Sequence, residues 1–378
     1  MSVETYLGVG AIGELAGILD AQRVKTVLIV AGRNSYVKSG AADSIEPMLT
    51  NYHTVRISNN NELPDLADIE RGVEQCKKSQ PDIIIAVGGG TVIDIAKLVR
   101  ICSVNIATPS EIALGVGTIE QAGPPLVAIP TTAGSGSEAT HFAVVYKQQQ
   151  KYSVAHQFVQ PDFAIVDPSL TYSMSERQTA VCGLDALCQS IESIWSVKSS
   201  KESREWASEA ARLVLANLVG TVKAPNAAGR ESMSRAAHLA GQAINISKTT
   251  APHALSYMLT SSYGIPHGHA VALTLGRFLE FNAEVSDEDL NDPRGVHHVR
   301  ERIGEVCSLL GAKNPQNGRR ALLDLMASIS VETRLGPYGI EGPADCARIV
   351  EKVNVERLSN NPRRTTRAQM AQILEELI

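Results

Sequence analysis

Four short runs of β-branched and aliphatic residues set the strongest limit on how this chain can fold. They are VKTVLIVAG at 24–32, YHTVRIS at 52–58, DIIIAVGGG at 82–90 and PLVAIPTTAG at 125–134. Three of them are uncharged over their apolar stretch and end in glycine or small hydroxyl residues. Between them lie stretches with helical periodicity, LADIERGVEQCKKS at 66–79 and TVIDIAKLVRI at 91–101. Strand–helix alternation of this kind calls for a parallel sheet with helices on its faces. HFAVVYK and KYSVAHQ, separated by Gln148 to Gln150, predict a β-hairpin, and DFAIVDP at 162–168 predicts a last strand closed by Pro168. Beyond it the character changes. Ser175 followed by Glu176 and Arg177 opens a helix, and helical patterns run to Ile378 without a strand. The expected fold class is therefore an α/β Rossmann-like N-terminal domain, residues 1–169, and an all-α C-terminal domain, residues 170–378. The polar run at 283–296 is expected to be a loop.

Composition narrows the partners. A net charge of −5 with no basic block argues against nucleic acid. No apolar run reaches the roughly 20 residues that span a bilayer, and MSVETYLGVGAIGEL lacks the pattern of a secretion signal. None of the six cysteines forms a CxxC pair, which suits a reduced, cytoplasmic setting and apolar packing.

Two loops draw attention. Gly88, Gly89 and Gly90 join a buried strand to a helix. Glycine lets backbone N–H groups approach a phosphate, and the helix N-terminus adds a favourable dipole. A simple tight turn would also use three glycines. PTTAGSGSEAT at 130–140 follows the next strand and offers Thr131, Thr132 and Ser135 among glycines. Two such loops at the carboxyl ends of neighbouring strands are where an open α/β sheet binds its ligand. Asp94 either orients these loops or is a first-turn acid favoured by the helix dipole.

A third pattern is a possible donor set. Asp185 and Gln189 stand four apart in GLDALCQSIES, on one helix face. His253 and His267 follow in TTAPHALSY and GIPHGHA. A carboxylate, an amide oxygen and two imidazoles suit a divalent metal such as Fe²⁺ or Zn²⁺.

At these residues the chain resembles the iron-containing (type III) alcohol dehydrogenase family, whose fold is shared with dehydroquinate synthase. The segments are VGGGTVIDIAK, PTTAGSGSEATHFAVV, FAIVDPSLT, GLDAL and YGIPHGHA, in the family's order. The resemblance implies NAD(P)-linked interconversion of alcohols and aldehydes, with a metal in the cleft between the domains. It implies that Asp185, His253 and His267 are metal ligands. Gln189 stands where the family usually has histidine, which puts its coordination in question. It implies that Gly88, Gly89, Gly90, Thr91, Thr131, Thr132 and Ser135 hold the pyrophosphate, and that Lys151 meets the nicotinamide-side ribose. NAD-preferring members often carry an aspartate after the strand that VLIVA forms here. Here Gly32, Arg33 and Asn34 stand there, which favours NADPH over NADH. The family often has a proton-relaying histidine four residues after the first histidine ligand. Here Tyr257, His269 or water would serve. A homo-oligomer, a dimer, is an inherited expectation.

DALCQSIESIWSVKSS and NISKTTAPHALSY resemble the phosphonoacetaldehyde reductase branch of the family. That likeness implies an anionic aldehyde substrate, held by Lys248 and Lys198, although either could be a solvated surface lysine. The alternatives are a dehydrogenase for neutral short-chain alcohols and a dehydroquinate synthase-like lyase.

Overall fold

The computed structural model describes residues 3–59, 61, 63–148, 150–353 and 355–378. The sequence pattern places a boundary at 169/170. The compact units are Met1–Met174 with Pro225–Gly241, and Ser175–Ala224 with Gln242–Ile378. The helical segment Pro225–Gly241 groups with the first unit because Gly136 and Gly241 approach backbone to backbone. A Cβ on Gly136 would lie 2.5 Å from the Gly241 Cα.

The first unit holds eight strands among the described residues: β1 (Glu4–Leu7), β2 (Thr26–Gly32), β3 (His53–Asn59), β4 (Ile83–Gly88), β5 (Leu126–Pro130), β6 (Phe142–Lys147), β7 (Gln150–Ala155) and β8 (Phe163–Val166). Six form one sheet in the order β1-β8-β5-β4-β2-β3, and every pair in it is parallel. β6 and β7 form the expected antiparallel hairpin. Gln149, in its turn, lies outside the described residues. The edge strand β1 is one the sequence pattern does not announce, being four residues long and half exposed.

The helices of this unit are α1 (Glu14–Ala21), α2 (Ser35–Lys38), α3 (Ala41–Ile45), α4 (Leu66–Ser79), α5 (Gly90–Cys102) and α6 (Pro109–Ala113). Residue parity explains how they seat. Leu28, Val30, Ile84, Ala86, Leu126 and Ala128 face the core that α4 and α5 fill. Val27, Ile29, Ile83, Ile85, Val127 and Ile129 face the core of α1 and α3. Both sheet faces are covered, so the central strands read as unbroken apolar runs. The strand order reverses between β2 and β4. Their carboxyl ends are Gly32 and Gly88, so the sheet opens a ligand crevice beside the glycines.

The second unit is helical: α7 (Glu176–Trp195), α8 (Lys201–Lys223), then the end of α9 (Ala227–Ser247), α10 (Ala251–Tyr263), α11 (His267–Ala283), α12 (Val296–Leu309), α13 (Pro315–Ser328), α14 (Pro343–Glu351) and α15 (Arg367–Glu375). α7 starts where the sequence predicts, with Ser175 and Gln178 forming a reciprocal capping box. No helix among the described residues is long and apolar enough to cross a membrane.

Candidate functional site

In the first unit, the two glycine loops pack against each other so closely that side chains are excluded. A Cβ on Gly90 would sit 2.7 Å from the Ser135 Oγ, and one on Gly88 would sit 2.6 Å from a Val92 methyl. Gly89 caps α5 in an extended conformation with no side chain over the helix end. The first-turn N–H groups of a thirteen-residue helix therefore face the crevice, which is an anion site by dipole and donors together.

Asp94 resolves in favour of orienting the loops. Its Oδ1 accepts from the Ser137 Oγ at 2.6 Å and its Oδ2 from the Val144 N–H at 2.9 Å. It thus ties α5 to the second loop and to β6. Lys97, one turn on, is a residue that the sequence reading passes over. It is fully buried, and its Nζ donates to the Ser137 Oγ (3.0 Å), the Thr140 Oγ1 (2.9 Å) and the Phe142 carbonyl (2.9 Å). Burial pulls its pKa down to about 8, against the attraction of Asp94 and Glu138. A buried lysine among apolar residues, three after an aspartate, was the available signal. Glu138 in the same loop meets the buried His238 Nδ1 at 3.1 Å, so His238 serves the packing of the loop.

Beside the loops lies a pocket of about 560 Å³, lined by Gly32, Arg33, Asn34, Ser35, Asn59, Asn61, Thr91 and Val92. Among the described residues of that lining, Arg33 is the charged one. A Cβ on Gly32 would meet the Ser35 Oγ at 2.3 Å, so a side chain there would force the Ser35 hydroxyl to move. Thr131 is buried, whereas Thr132, Ser135 and Lys151 are partly exposed, with Lys151 opposite Tyr146 in the hairpin.

In the second unit, three residues of the expected donor set converge. Asp185 comes from the middle of α7. His253 sits in the first turn of α10, behind its N-cap Thr250 and Pro252. His267 is the first residue of α11, reached through the left-handed Gly264 and Pro266. Ligand atoms of Asp185, His253 and His267 all lie within 4.8 Å of one another. α11 can come this close because residue 268 is glycine. A Cβ there would lie 2.1 Å from the Val181 carbonyl and 2.7 Å from the Asp185 Cβ. Gln189 is buried one turn beyond Asp185 on the same helix.

The electrostatics of this set are one-sided. The His253 Nε2 lies 3.5 Å from the Asp185 Oδ1, and its Nδ1 is hydrogen-bonded to the Glu192 Oε1. Burial opposes a charge on this ring. Glu192 and Asp185 outweigh that and push its pKa up to about 10. The site is thus arranged around a positive charge. Glu192 was missed in the sequence, although its spacing of seven from Asp185 puts it on the same face of α7.

Tyr257 lies against the set, its ring stacked on His267 with centroids 5.9 Å apart and planes 15° apart. The Ser256 Oγ is 3.4 Å from the His267 Nδ1. His269 is differently placed. Its Nε2 meets the Glu332 carbonyl at 2.6 Å and its Nδ1 the Tyr338 hydroxyl at 3.5 Å, and burial lowers its pKa.

Lys198 and Lys248 are exposed. The structure links the turns that carry them. The Asn360 Oδ1 accepts from the Lys198 N–H at 3.2 Å, while its Nδ2 donates to the Ser247 and Thr249 carbonyls at 2.8 and 2.9 Å. Lys248 itself takes a left-handed conformation, φ 57°, at the end of α9.

Comparison with known proteins finds matches to both parts of the chain. Residues 2–168 match the iron-containing alcohol dehydrogenase family, and residues 179–378 match the C-terminal part of the Fe-containing alcohol dehydrogenase family. Phosphonoacetaldehyde reductase of Streptomyces viridochromogenes is 36% identical over 312 residues, 80% of this chain and 78% of that protein. Long-chain-alcohol dehydrogenase 1 of Geobacillus thermodenitrificans is 32% identical over 94% of this chain and 89% of that protein. The crystal structure of sulfoacetaldehyde reductase from Bifidobacterium kashiwanohense in complex with NAD⁺ superposes with a TM-score of 0.88. It is 28% identical and covers 100% of this chain and 97% of that one.

Proposed function

Because this chain belongs to the iron-containing alcohol dehydrogenase family, we propose that it reduces an anionic aldehyde, phosphonoacetaldehyde, to the primary alcohol with NADPH and a divalent metal. That it is an oxidoreductase of the alcohol dehydrogenase and aldehyde reductase kind follows from the family itself. The substrate, the coenzyme and the site roles are our reading.

The observation that carries the metal is the convergence of Asp185, His253 and His267 within 4.8 Å, with Glu192 behind His253. One carboxylate and two imidazoles, with a second buried carboxylate behind His253, form a donor set suited to a dication. Asp185, His253 and His267 would hold it, with Gln189 one turn along α7 as a fourth, oxygen donor. Gln189 makes the set harder than three imidazoles would, which suits Fe²⁺ and still admits Zn²⁺. When bound, such an ion supplies Lewis acidity that polarises a carbonyl.

The remaining chemistry is assigned to this chain's own residues. The α5 N-terminus and the backbone of Gly88, Gly89 and Gly90 hold the pyrophosphate, with Thr91, Thr131, Thr132 and Ser135 as hydroxyl donors. Asp94 holds the second loop in place. Arg33, Gly32 and Asn34 line the pocket for the outer ribose, and the Arg33 guanidinium favours a 2′-phosphate. NADH would lack that contact. When bound, a dihydronicotinamide would supply the hydride that the carbonyl carbon takes up, and a proton would be added to the oxygen. Tyr257, stacked on His267, supplies that proton directly or through water. Of the two candidates Tyr257 is the better placed, because its ring lies against the donor-set residue His267, whereas His269 lies against Glu332 and Tyr338.

Lys248 and Lys198, on turns tied by Asn360, hold the anionic end of the substrate. The likeness to phosphonoacetaldehyde reductase supports a phosphonate there. The same two ammoniums suit a sulfonate, and the likeness to sulfoacetaldehyde reductase favours this as the second reading. The test is Lys248→Gly, which removes the ammonium at a backbone position that glycine adopts without strain. The expected result is a raised KM for phosphonoacetaldehyde and an unchanged one for propanal. Unchanged kinetics on phosphonoacetaldehyde would remove Lys248 from the site.

A further inference from the structure

A carboxylate taken wholly out of water costs several kcal/mol unless donors surround it. Glu192 is such a group, at 0% exposure. Its ion pair is with an imidazole, and its two oxygens serve two different parts of the unit. Oε1 meets the His253 Nδ1. With Nδ1 held by Glu192, Nε2 is the nitrogen turned to the Asp185 Oδ1, 3.5 Å away, and it is the one that a bound dication would take in place of a proton. Oε2 accepts from the Thr250 N–H at 2.6 Å and from the Thr250 hydroxyl at 2.8 Å.

Thr250 closes the turn that carries Lys248. The last turn of α7 grips that turn at three further points. The Trp195 Nε1 donates to the Thr250 Oγ1 at 3.0 Å, the Ser196 Oγ to the Ser247 carbonyl at 2.7 Å, and the Ser247 Oγ to the Ser193 Oγ at 2.7 Å. Ser193, Trp195, Ser196, Ser247 and Thr250 are all buried. One stretch of helix therefore holds both a member of the donor set and the lysine-bearing turn, and Glu192 is the side chain common to both.

We infer that Glu192 is a positioning residue that couples the His253 imidazole to the Ser247–Thr250 turn, so that hold on the metal and hold on the anionic substrate change together. A rotation of the carboxylate that releases Thr250 also misaligns the ring nitrogen facing Asp185. This rests on the metal and anion roles proposed above.

The test uses the full-length protein and Glu192→Gln, which keeps the volume and loses one acceptor oxygen. Zn²⁺ affinity is measured by competition with a chromophoric chelator, beside KM for phosphonoacetaldehyde and for propanal, on protein shown to be folded by its thermal transition. The expected result is Zn²⁺ binding weakened about 10- to 100-fold, the range for loss of a carboxylate behind a metal-bound histidine, with KM rising more for the anionic aldehyde. A second variant, Thr250→Val, leaves every member of the donor set in place. The coupling predicts that it too weakens Zn²⁺ binding and raises KM for the anionic aldehyde. If Glu192→Gln does not fold, Thr250→Val decides alone. Wild-type Zn²⁺ affinity in folded Glu192→Gln, or in Thr250→Val, would overturn the inference. A wild-type protein that binds no Zn²⁺ would fell the metal reading and the coupling with it. A wild type that binds Zn²⁺ but prefers propanal would fell the anion reading, while the Zn²⁺ comparison still decides whether Glu192 holds His253.

Discussion

The glycine loops of the first unit and the donor set of the second solve opposite problems. The first site is made by removing side chains: at Gly32, Gly88 and Gly90 a Cβ would collide with a neighbour at 2.3 to 2.7 Å. What that site offers a ligand is backbone, and what fixes the backbone is contact. The second site is made by placing charged side chains where water is excluded, with Asp185 and Glu192 buried on either side of His253. Steric precision governs one and electrostatic compensation the other. Substitutions should therefore fail differently in the two places.

The largest effect is expected at the donor set. His267→Ala should lower turnover by on the order of a thousandfold, several kcal/mol of lost charge stabilisation, and should abolish metal binding measured by elemental analysis. NADPH affinity should be unchanged. Persistent turnover in metal-free His267→Ala would break the comparison.

Gly90→Ala should do the reverse. A clash that costs about 1–3 kcal/mol should weaken NADPH binding roughly ten- to a hundredfold in a fluorescence titration and leave Zn²⁺ affinity alone. Ser135→Gly in the same chain should restore part of the loss, because the Ser135 Oγ is what the new methyl meets at 2.7 Å. Arg33→Ala should raise KM for NADPH about tenfold, one charge-assisted hydrogen bond's worth, and spare KM for NADH. Equal effects on both coenzymes would remove the 2′-phosphate from the account. Gln189→His should tighten metal binding by a smaller factor, read by chelator competition. Unchanged affinity would mean that residue 189 lies outside the donor set.

The smallest effect concerns Lys97. Its pKa is lowered by burial from 10.5 to about 8. Between those values the unfolded chain binds more protons than the folded one, so stability should rise as pH goes from about 8 to 10.5. Lys97→Met should flatten that slope in denaturant titrations, and an identical slope in both proteins would contradict the buried-ammonium account.

What could be read in the sequence follows the same division. The sheet was legible because β2, β4 and β5 are buried on both faces and show as uncharged runs, closed by glycine in β2 and β4 and by Pro130 and two threonines in β5. The glycine loops were legible for the same reason, since a missing side chain is visible in a sequence. β1 was not, because four half-exposed residues at a sheet edge carry no such signature. In the second unit, Asp185 and Gln189 showed through their spacing of four. Glu192, on the same face, was as visible but had no partner in sequence, since its partners His253 and Thr250 are some 60 residues away. Asn360, which ties the Lys198 and Lys248 turns, lies 162 residues from Lys198 and leaves no local trace. Second layers of polar support are set by tertiary contact, and periodicity does not encode them.

The most direct test of the central claim is kcat/KM with NADPH for phosphonoacetaldehyde beside propanal, on protein stripped by EDTA and then restored with Fe²⁺ or Zn²⁺. The account predicts no turnover of either aldehyde in the stripped protein, recovery on adding metal, and a large advantage for phosphonoacetaldehyde. Turnover that survives stripping, or an equal preference for propanal in the restored enzyme, would contradict it.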